Sequence, residues 1–201
     1  MSDQRDAIWA AAETYAAAGW TPVPSQGKAA MHGPALNEWR PLLRAALAGG
    51  GPVNLGAHSG HGPGFLVVDV DVKDGGVAAW REIMALHGPL VGYPHVTFTG
   101  RRGYHYFFRN TKPGDDMPRA IRGVVWRGTR VGIDLLSEGQ FVVLPPSVGT
   151  EVPYVWSAGS APDLTALPVM PEWLRALFDR SGAVRGRGVT SDCGYPRRRD
   201  E

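Results

Sequence analysis

The chain has 201 residues, with 21 Lys and Arg against 19 Asp and Glu, so its formal net charge is only +2. At 43% hydrophobic and 20% charged it can bury a real core, which excludes a disordered chain. Its one cysteine, Cys193, excludes an intrachain disulfide and a cysteine-rich zinc site and reads as a bystander thiol. No apolar run approaches the roughly 18 residues of a membrane span, and the opening stretch, acidic at Asp3 and Asp6 and then Ala-rich, is not a secretory signal. The expectation is a cytoplasmic protein. The 27 glycines and 17 prolines argue for many turns and short strands rather than a helical bundle.

Residues 3–18 set Ile8, Ala11, Ala12 and Tyr15 at helical spacing, and Gly19 is a natural stop. Residues 20–24 read as a short extended edge segment, followed by a turn at 25–28. Residues 36–48 suggest a second helix, interrupted near Pro41. Residues 53–56 form a short strand in a glycine-rich loop region, and the loop histidines His58 and His61 lack a phosphate-loop pattern. The strongest strand is 65–72, FLVVDVDV, a nearly continuous apolar run expected to be central and covered on both faces. A helix over 74–87, a hairpin over 95–99 and 104–109, and strands over 124–126, 131–136 and 140–144 follow. A last helix over 171–180 starts at Pro171. The order mixes an α/β module with an antiparallel meander, an α+β layout. Residues 1–181 are expected to form the domain, and 182–201, rich in Arg, Gly and Ser, a disordered tail.

The small net charge averages unlike parts. Residues 101–130 hold eight basic side chains against two acidic ones, whereas 1–100 and 131–181 are each net acidic. A basic stretch between two acidic ones suggests phosphate on one side and cations on the other.

Three acids and a histidine stand out. Asp69 and Asp71 lie two apart on an apolar strand, so both carboxylates leave one face a few ångströms apart. A divalent cation would relieve their repulsion; the alternative is a strand end facing solvent. Asp134 sits inside an apolar strand and needs a partner. That partner is either a metal or a basic side chain from 101–130. His105 begins a strand just after Arg101-Arg102-Gly103, a short glycine turn suited to phosphate oxygens. A structural role for His105 remains equally open. Trp9, Trp39, Trp80 and Trp173 fall on predicted helices and read as core. Trp126, among Arg119, Arg122, Arg127 and Arg130, is the candidate for stacking on nucleic acid.

Taken together these residues resemble the bifunctional DNA primase/polymerase (Prim-Pol) domain of the archaeo-eukaryotic primases, found in phages, plasmids and mobile elements. The resemblance covers about residues 7–178. It rests on an ordered set: Tyr15-Ala16-x-x-Gly19-x-x-x-Val23-Pro24, Gly27-Lys28, Asn54-Leu55-Gly56, Val67-Val68-Asp69-Val70-Asp71, Gly103-Tyr104-His105-Tyr106-Phe107, and Gly132-Ile133-Asp134 leading into Phe141-Val142-Val143-x-Pro145-Pro146-Ser147. It implies an N-terminal α/β module packed on an RRM-like module, with the active site in the cleft between them. It also implies two Mg²⁺ or Mn²⁺ ions on Asp69, Asp71 and Asp134, with no zinc, and His105, Arg101, Arg102, Gly103 and Lys28 around the nucleotide.

The implied activity is template-directed nucleotidyl transfer, with DNA template, primer and NTP or dNTP as partners and a replicative helicase, fused or separate, as a further one. Three departures touch the nucleotide side: Gly103 where the family has Ser, Leu136 where many relatives have Arg, and Gln140 for a glycine. Gly103 and Leu136 keep open a degenerate single-stranded nucleic-acid-binding module, and a metal-dependent nuclease or phosphatase using the same acids is a further rival.

Overall fold

The computed structural model describes residues 2–33, 38–60, 64–98, 103–111, 120–148, 153–159 and 161–185. Its elements are α1 (Ser2–Ala17), β1 (Val23–Gln26), β2 (Ala29–Ala30), α2 (Trp39–Ala48), β3 (Asn54–His58), β4 (Phe65–Val70), α3 (Gly76–His87), β5 (His95–Phe98), β6 (Tyr104–Arg109), β7 (Val124–Trp126), β8 (Thr129–Val131), β9 (Ile133–Leu136), β10 (Phe141–Leu144), β11 (Tyr154–Trp156) and α4 (Glu172–Arg185). The strands form a four-stranded sheet ordered β10-β3-β1-β2, a five-stranded sheet ordered β11-β5-β6-β4-β9, and a two-stranded ribbon β7-β8. Every pairing within them is antiparallel. This is an α+β protein, as expected.

In the five-stranded sheet, β4 and β5 are joined by α3 and separated by β6, a split β-α-β unit. Alternation along β4 then sorts its side chains between two cores. Phe65 and Val67 face a cluster holding Tyr15 of α1, Leu43 of α2, Leu55 of β3, Leu144 of β10 and Phe107 of β6. Leu66, Val68 and Val70 face a second cluster with Trp80 and Ile83 of α3 and Leu174 and Phe178 of α4. The unbroken apolar run thus has its cause: β4 is buried on both faces, with each fully buried large apolar side chain stabilising by about 1.5–3 kcal/mol.

Tyr15 ties the layers together. Its hydroxyl donates to the Pro145 carbonyl at 2.7 Å and accepts from Trp156 Nε1 at 2.7 Å. Burial raises this phenol well above its ordinary pKa, against the lowering effect of the Trp156 hydrogen bond. The motif pairs also interlock. Ser147 Oγ meets both the N–H and the carbonyl of Leu55, at 2.8 and 2.9 Å. The Asn54 side chain grips the Val148 backbone, at 2.9 and 3.1 Å. At Gly56 a Cβ would overlap the Phe141 ring and the Val142 carbonyl oxygen.

Several boundaries differ from expectation. The stretch read as one strand over 131–136 divides at Gly132 into β8 and β9, which belong to different sheets. The chain then leaves the five-stranded sheet at 137–140 and enters the four-stranded one as β10. The N-terminal module is therefore not contiguous in sequence. Pro41 does not break α2 but is its third residue, where its missing N–H has no helical partner to lose. Helix α4 runs to Arg185, beyond the expected Arg180.

Candidate active site

The register of three strands assembles the site. His105 of β6 and Asp134 of β9 are the direct cross-strand partners of Asp69 on β4. An isolated bridge between Ile121 and Leu135 brings Arg122 beside Asp134 at the edge of the same sheet. His105, Asp69, Asp134 and Arg122 thus form one polar row across four chain segments. The row lies on the sheet face that, two residues earlier, buries Val67 in the first cluster.

Two carboxylates directly opposite each other stand about 5 Å apart. At an effective dielectric near 20 their repulsion is about 3 kcal/mol. The flanking residues offset it. His105 Nε2 lies 3.3 Å from Asp69 Oδ1, and its side chain is only 10% exposed against 28% for Asp69. Burial pushes the Asp69 pKa up; the charge and hydrogen bond of His105, with Lys28 and Arg122 farther off, more than reverse this and hold it below the ordinary carboxylate value. Asp69 is therefore an anion at neutral pH.

Asp134 has both oxygens engaged. Arg122 Nη1 donates to Oδ2 at 2.7 Å and the Gly123 N–H donates to Oδ1 at 2.7 Å. Arg122 Nη2 also donates to Gln140 Oε1 at 3.0 Å. The basic side chain from 101–130 that pairs with Asp134 is Arg122. Among the described residues no group of three or more His, Cys, Asp or Glu side chains is gathered so that it could hold a metal ion as it stands.

Asp71 follows the end of β4, yet the pairing continues: its N–H donates to the Gly132 carbonyl at 2.8 Å. Its carboxylate is exposed and accepts from the Lys73 N–H at 3.2 Å. Glycines make this approach possible. A Cβ on Gly76 would overlap the Gly132 carbonyl oxygen, and one on Gly132 would overlap the Lys73 carbonyl oxygen. Gly132 lies two residues before Asp134, so the same contact sets the loop carrying Asp71 against the strand carrying Asp134. Sequence reading took Gly132 only as part of a motif and missed Gly76 altogether, because the contact lies between segments remote in sequence.

Lys28 occupies the turn between β1 and β2 and is exposed. The neighbouring Gly27 carbonyl accepts from Asn54 Nδ2 at 3.3 Å and Ser25 Oγ at 3.2 Å. Gly103 is buried at the start of β6, whereas Arg101, Arg102 and Arg119 lie outside the described residues. The β7-β8 ribbon leans on α3. The Trp126 indole N–H donates to Glu82 Oε2 at 2.9 Å, and Arg127 Nε lies 3.2 Å from the same oxygen. The Trp126 ring packs at the margin of the second cluster. Glu82 was not a candidate from sequence; on its helix it reads as one more surface acid. Arg130 turns inward to the carbonyls of Arg122 and Gly123, at 2.6 and 2.7 Å.

The geometry defines an α+β domain with an acidic pair in one strand row, flanked by His105 and Arg122. The chain matches the family model of the bifunctional DNA primase/polymerase N-terminal domain over residues 12–173, and it belongs to that family. Membership points to primase/polymerase activity, and hence to DNA and nucleotides as substrates. No curated protein matches the chain. Among the described residues no helix is long and apolar enough to cross a membrane.

Proposed function

We propose that the chain catalyses template-directed nucleotidyl transfer, in replication of a phage, plasmid or mobile element. The observation that carries this reading is the register: Asp69 and Asp134 are cross-strand partners with His105 beside them in the same row. In this reading the split β-α-β sheet is the RRM-like module, and the row opens on a cleft against the four-stranded sheet.

The donor chemistry fits divalent cations. Asp69, held anionic, with Asp134 opposite and Asp71 two residues on, offers only hard carboxylate oxygens, which suit Mg²⁺ or Mn²⁺. Two such ions, when bound, lower the pKa of an attacking 3′-hydroxyl and neutralise the triphosphate. The protein's own share is positioning and charge. Asp69, Asp71 and Asp134 hold the cations. His105 donates toward phosphate oxygens, and Lys28, Arg101 and Arg102 stabilise charge developing there. At Gly103, where a hydroxyl side chain is lacking, a backbone N–H would have to serve the phosphate. Basic side chains within 101–122 contact template or primer phosphates, so binding weakens with salt.

The test is extension of a labelled primer on a primed template, with NTP and dNTP pools supplied separately and Mg²⁺ or Mn²⁺ present. The double variant Asp69→Ala/Asp71→Ala should lose about a thousandfold or more in rate while still binding DNA. Extension by that variant at the wild-type rate would falsify the reading. The Arg122–Asp134 pair favours one second reading, a nucleic-acid-binding module without catalysis. It predicts no extension by the wild type either. Strand cleavage in place of elongation would indicate a nuclease.

A further inference from the structure

We propose that Arg122 is a displaceable counterion for Asp134. It occupies the carboxylate while no divalent cation is bound, and releases it to the cation while its guanidinium turns toward nucleotide phosphate. This rests on the metal-dependent reading above and names how that site is regulated.

Four observations converge on it. First, both Asp134 oxygens already hold donors, Arg122 Nη1 on Oδ2 and the Gly123 N–H on Oδ1, so a cation approaching Oδ2 competes with the guanidinium charge beside it. Second, the two oxygens are held differently. Oδ1 takes a backbone N–H, fixed with the chain, whereas Oδ2 takes only the Arg122 side chain. Oδ2 is therefore the atom that can be released without moving the strand.

Third, the Arg122 side chain is 56% exposed, and an ion pair this open to water is worth at most about 1 kcal/mol. A divalent cation drawn by both Asp69 and Asp134 carries twice the charge of the guanidinium and outcompetes an ion pair of that strength. Fourth, the Arg122 backbone is anchored independently of its side chain. Ile121 exchanges both backbone hydrogen bonds with Leu135, at 3.0 and 2.9 Å, and Arg130 holds the carbonyls of Arg122 and Gly123. The guanidinium can swing while its base stays in place. Gln140 Oε1, which takes the other terminal nitrogen, steadies the resting position.

The experiment is Mn²⁺ binding to the full, nucleotide-free chain, by calorimetry and by the paramagnetic signal of the free ion. Arg122→Gln should bind Mn²⁺ about three- to tenfold more tightly, since the competing cation is gone. Asp134→Asn should weaken binding about tenfold or more, and the double variant should show none of the gain. Arg127→Gln removes the same charge from the neighbouring ribbon without touching Asp134, and should leave affinity unchanged. In thermal melts, Mn²⁺ should raise the midpoint of Arg122→Gln more than that of the wild type.

A folded Arg122→Gln with unchanged or weaker Mn²⁺ affinity overturns the proposal, as does an equal gain in Arg127→Gln. Should the Gln variant not fold, Arg122→Lys keeps the charge but loses the two-pronged donor. A gain of about twofold is then expected, and none overturns the proposal. If wild type and Asp134→Asn bind Mn²⁺ alike, the metal reading itself fails. If binding depends on Asp134 but not on Arg122, only the counterion role fails.

Discussion

One face of the five-stranded sheet holds two regions of opposite character, a single pleat apart. At one end Val67, Phe107 and Leu136 are buried against α1 and the four-stranded sheet. At the other, Asp69, His105 and Asp134 occupy the equivalent row. Backbone pairing is identical through both. The difference is in what each row needs: the first gains by excluding water, the second only by finding counter-charges. In a sheet whose register is fixed by its apolar rows, chemistry can be added at the end of a strand without disturbing the fold.

The sharpest way to break this comparison is to move the charge by one pleat. Val67 is fully buried, and Val67→Asp would bury a carboxylate with no cation to meet it. The cost should be several kcal/mol, enough to abolish cooperative unfolding in a chemical melt. Asp69→Asn, two residues on, should leave the midpoint within a few degrees of wild type while abolishing extension. A folded Val67→Asp variant would show that the two rows do not differ in kind.

The next largest effect is expected where the strands must touch. Gly132→Ala places a methyl group against the Lys73 carbonyl oxygen. Backbone cannot yield as a flexible side chain does, so a loss of about 2–3 kcal/mol is expected. Urea melts would measure it, and an unchanged midpoint would mean that the loop after β4 can shift without cost.

These contacts also explain how far the sequence could be read. Alternation along FLVVDVDV puts Asp69 on the face of Val67, where the structure pairs it with His105 and Asp134, whereas Asp71 falls beyond the end of β4. The need of Asp134 for a partner is equally local, because a lone acid in an apolar strand cannot go unsatisfied. That the partner is Arg122 depends on the bridge between Ile121 and Leu135, a pairing between segments that no local pattern specifies. The division of strands at Gly132, and the crossing of residues 137–140 from one sheet to the other, depend on which sheet has an edge to offer. Trp126 illustrates the reverse: an aromatic among arginines suggests base stacking, but Glu82, forty-four residues away, takes its N–H.

Acid titration tests the charged row more gently. The folded-state pKa of Asp69 lies below its unfolded value, so its ionised form stabilises the fold. That contribution is fully present above the unfolded value, near pH 4, and is lost as pH falls through the folded value. Asp69→Asn should flatten this part of the stability profile below about pH 4 and, lacking the ionic contribution, be modestly less stable than the wild type at neutral pH. If the acid limb of the variant overlays that of the wild type, His105, Lys28 and Arg122 do not hold Asp69 ionised.

The smallest expected effect separates the row from the ribbon beside it. Both carry arginine, but Arg127 lies 3.2 Å from Glu82, with side chains 71% and 48% exposed. An arginine already facing a carboxylate releases few counterions when a phosphate arrives. Arg127→Ala should therefore weaken single-stranded DNA binding no more than about two- to threefold. It should reduce the salt slope by well under the roughly 0.7 that one phosphate contact carries on a single strand. Affinities measured by fluorescence anisotropy from low to moderate salt supply both numbers. Glu82→Gln should act in the opposite direction, freeing Arg127 and steepening the slope. If Arg127→Ala instead removes a full phosphate's share, the ribbon is itself a nucleic-acid surface. The division between a chemical row and a structural ribbon would then have to be redrawn with Glu82 as a residue that DNA displaces.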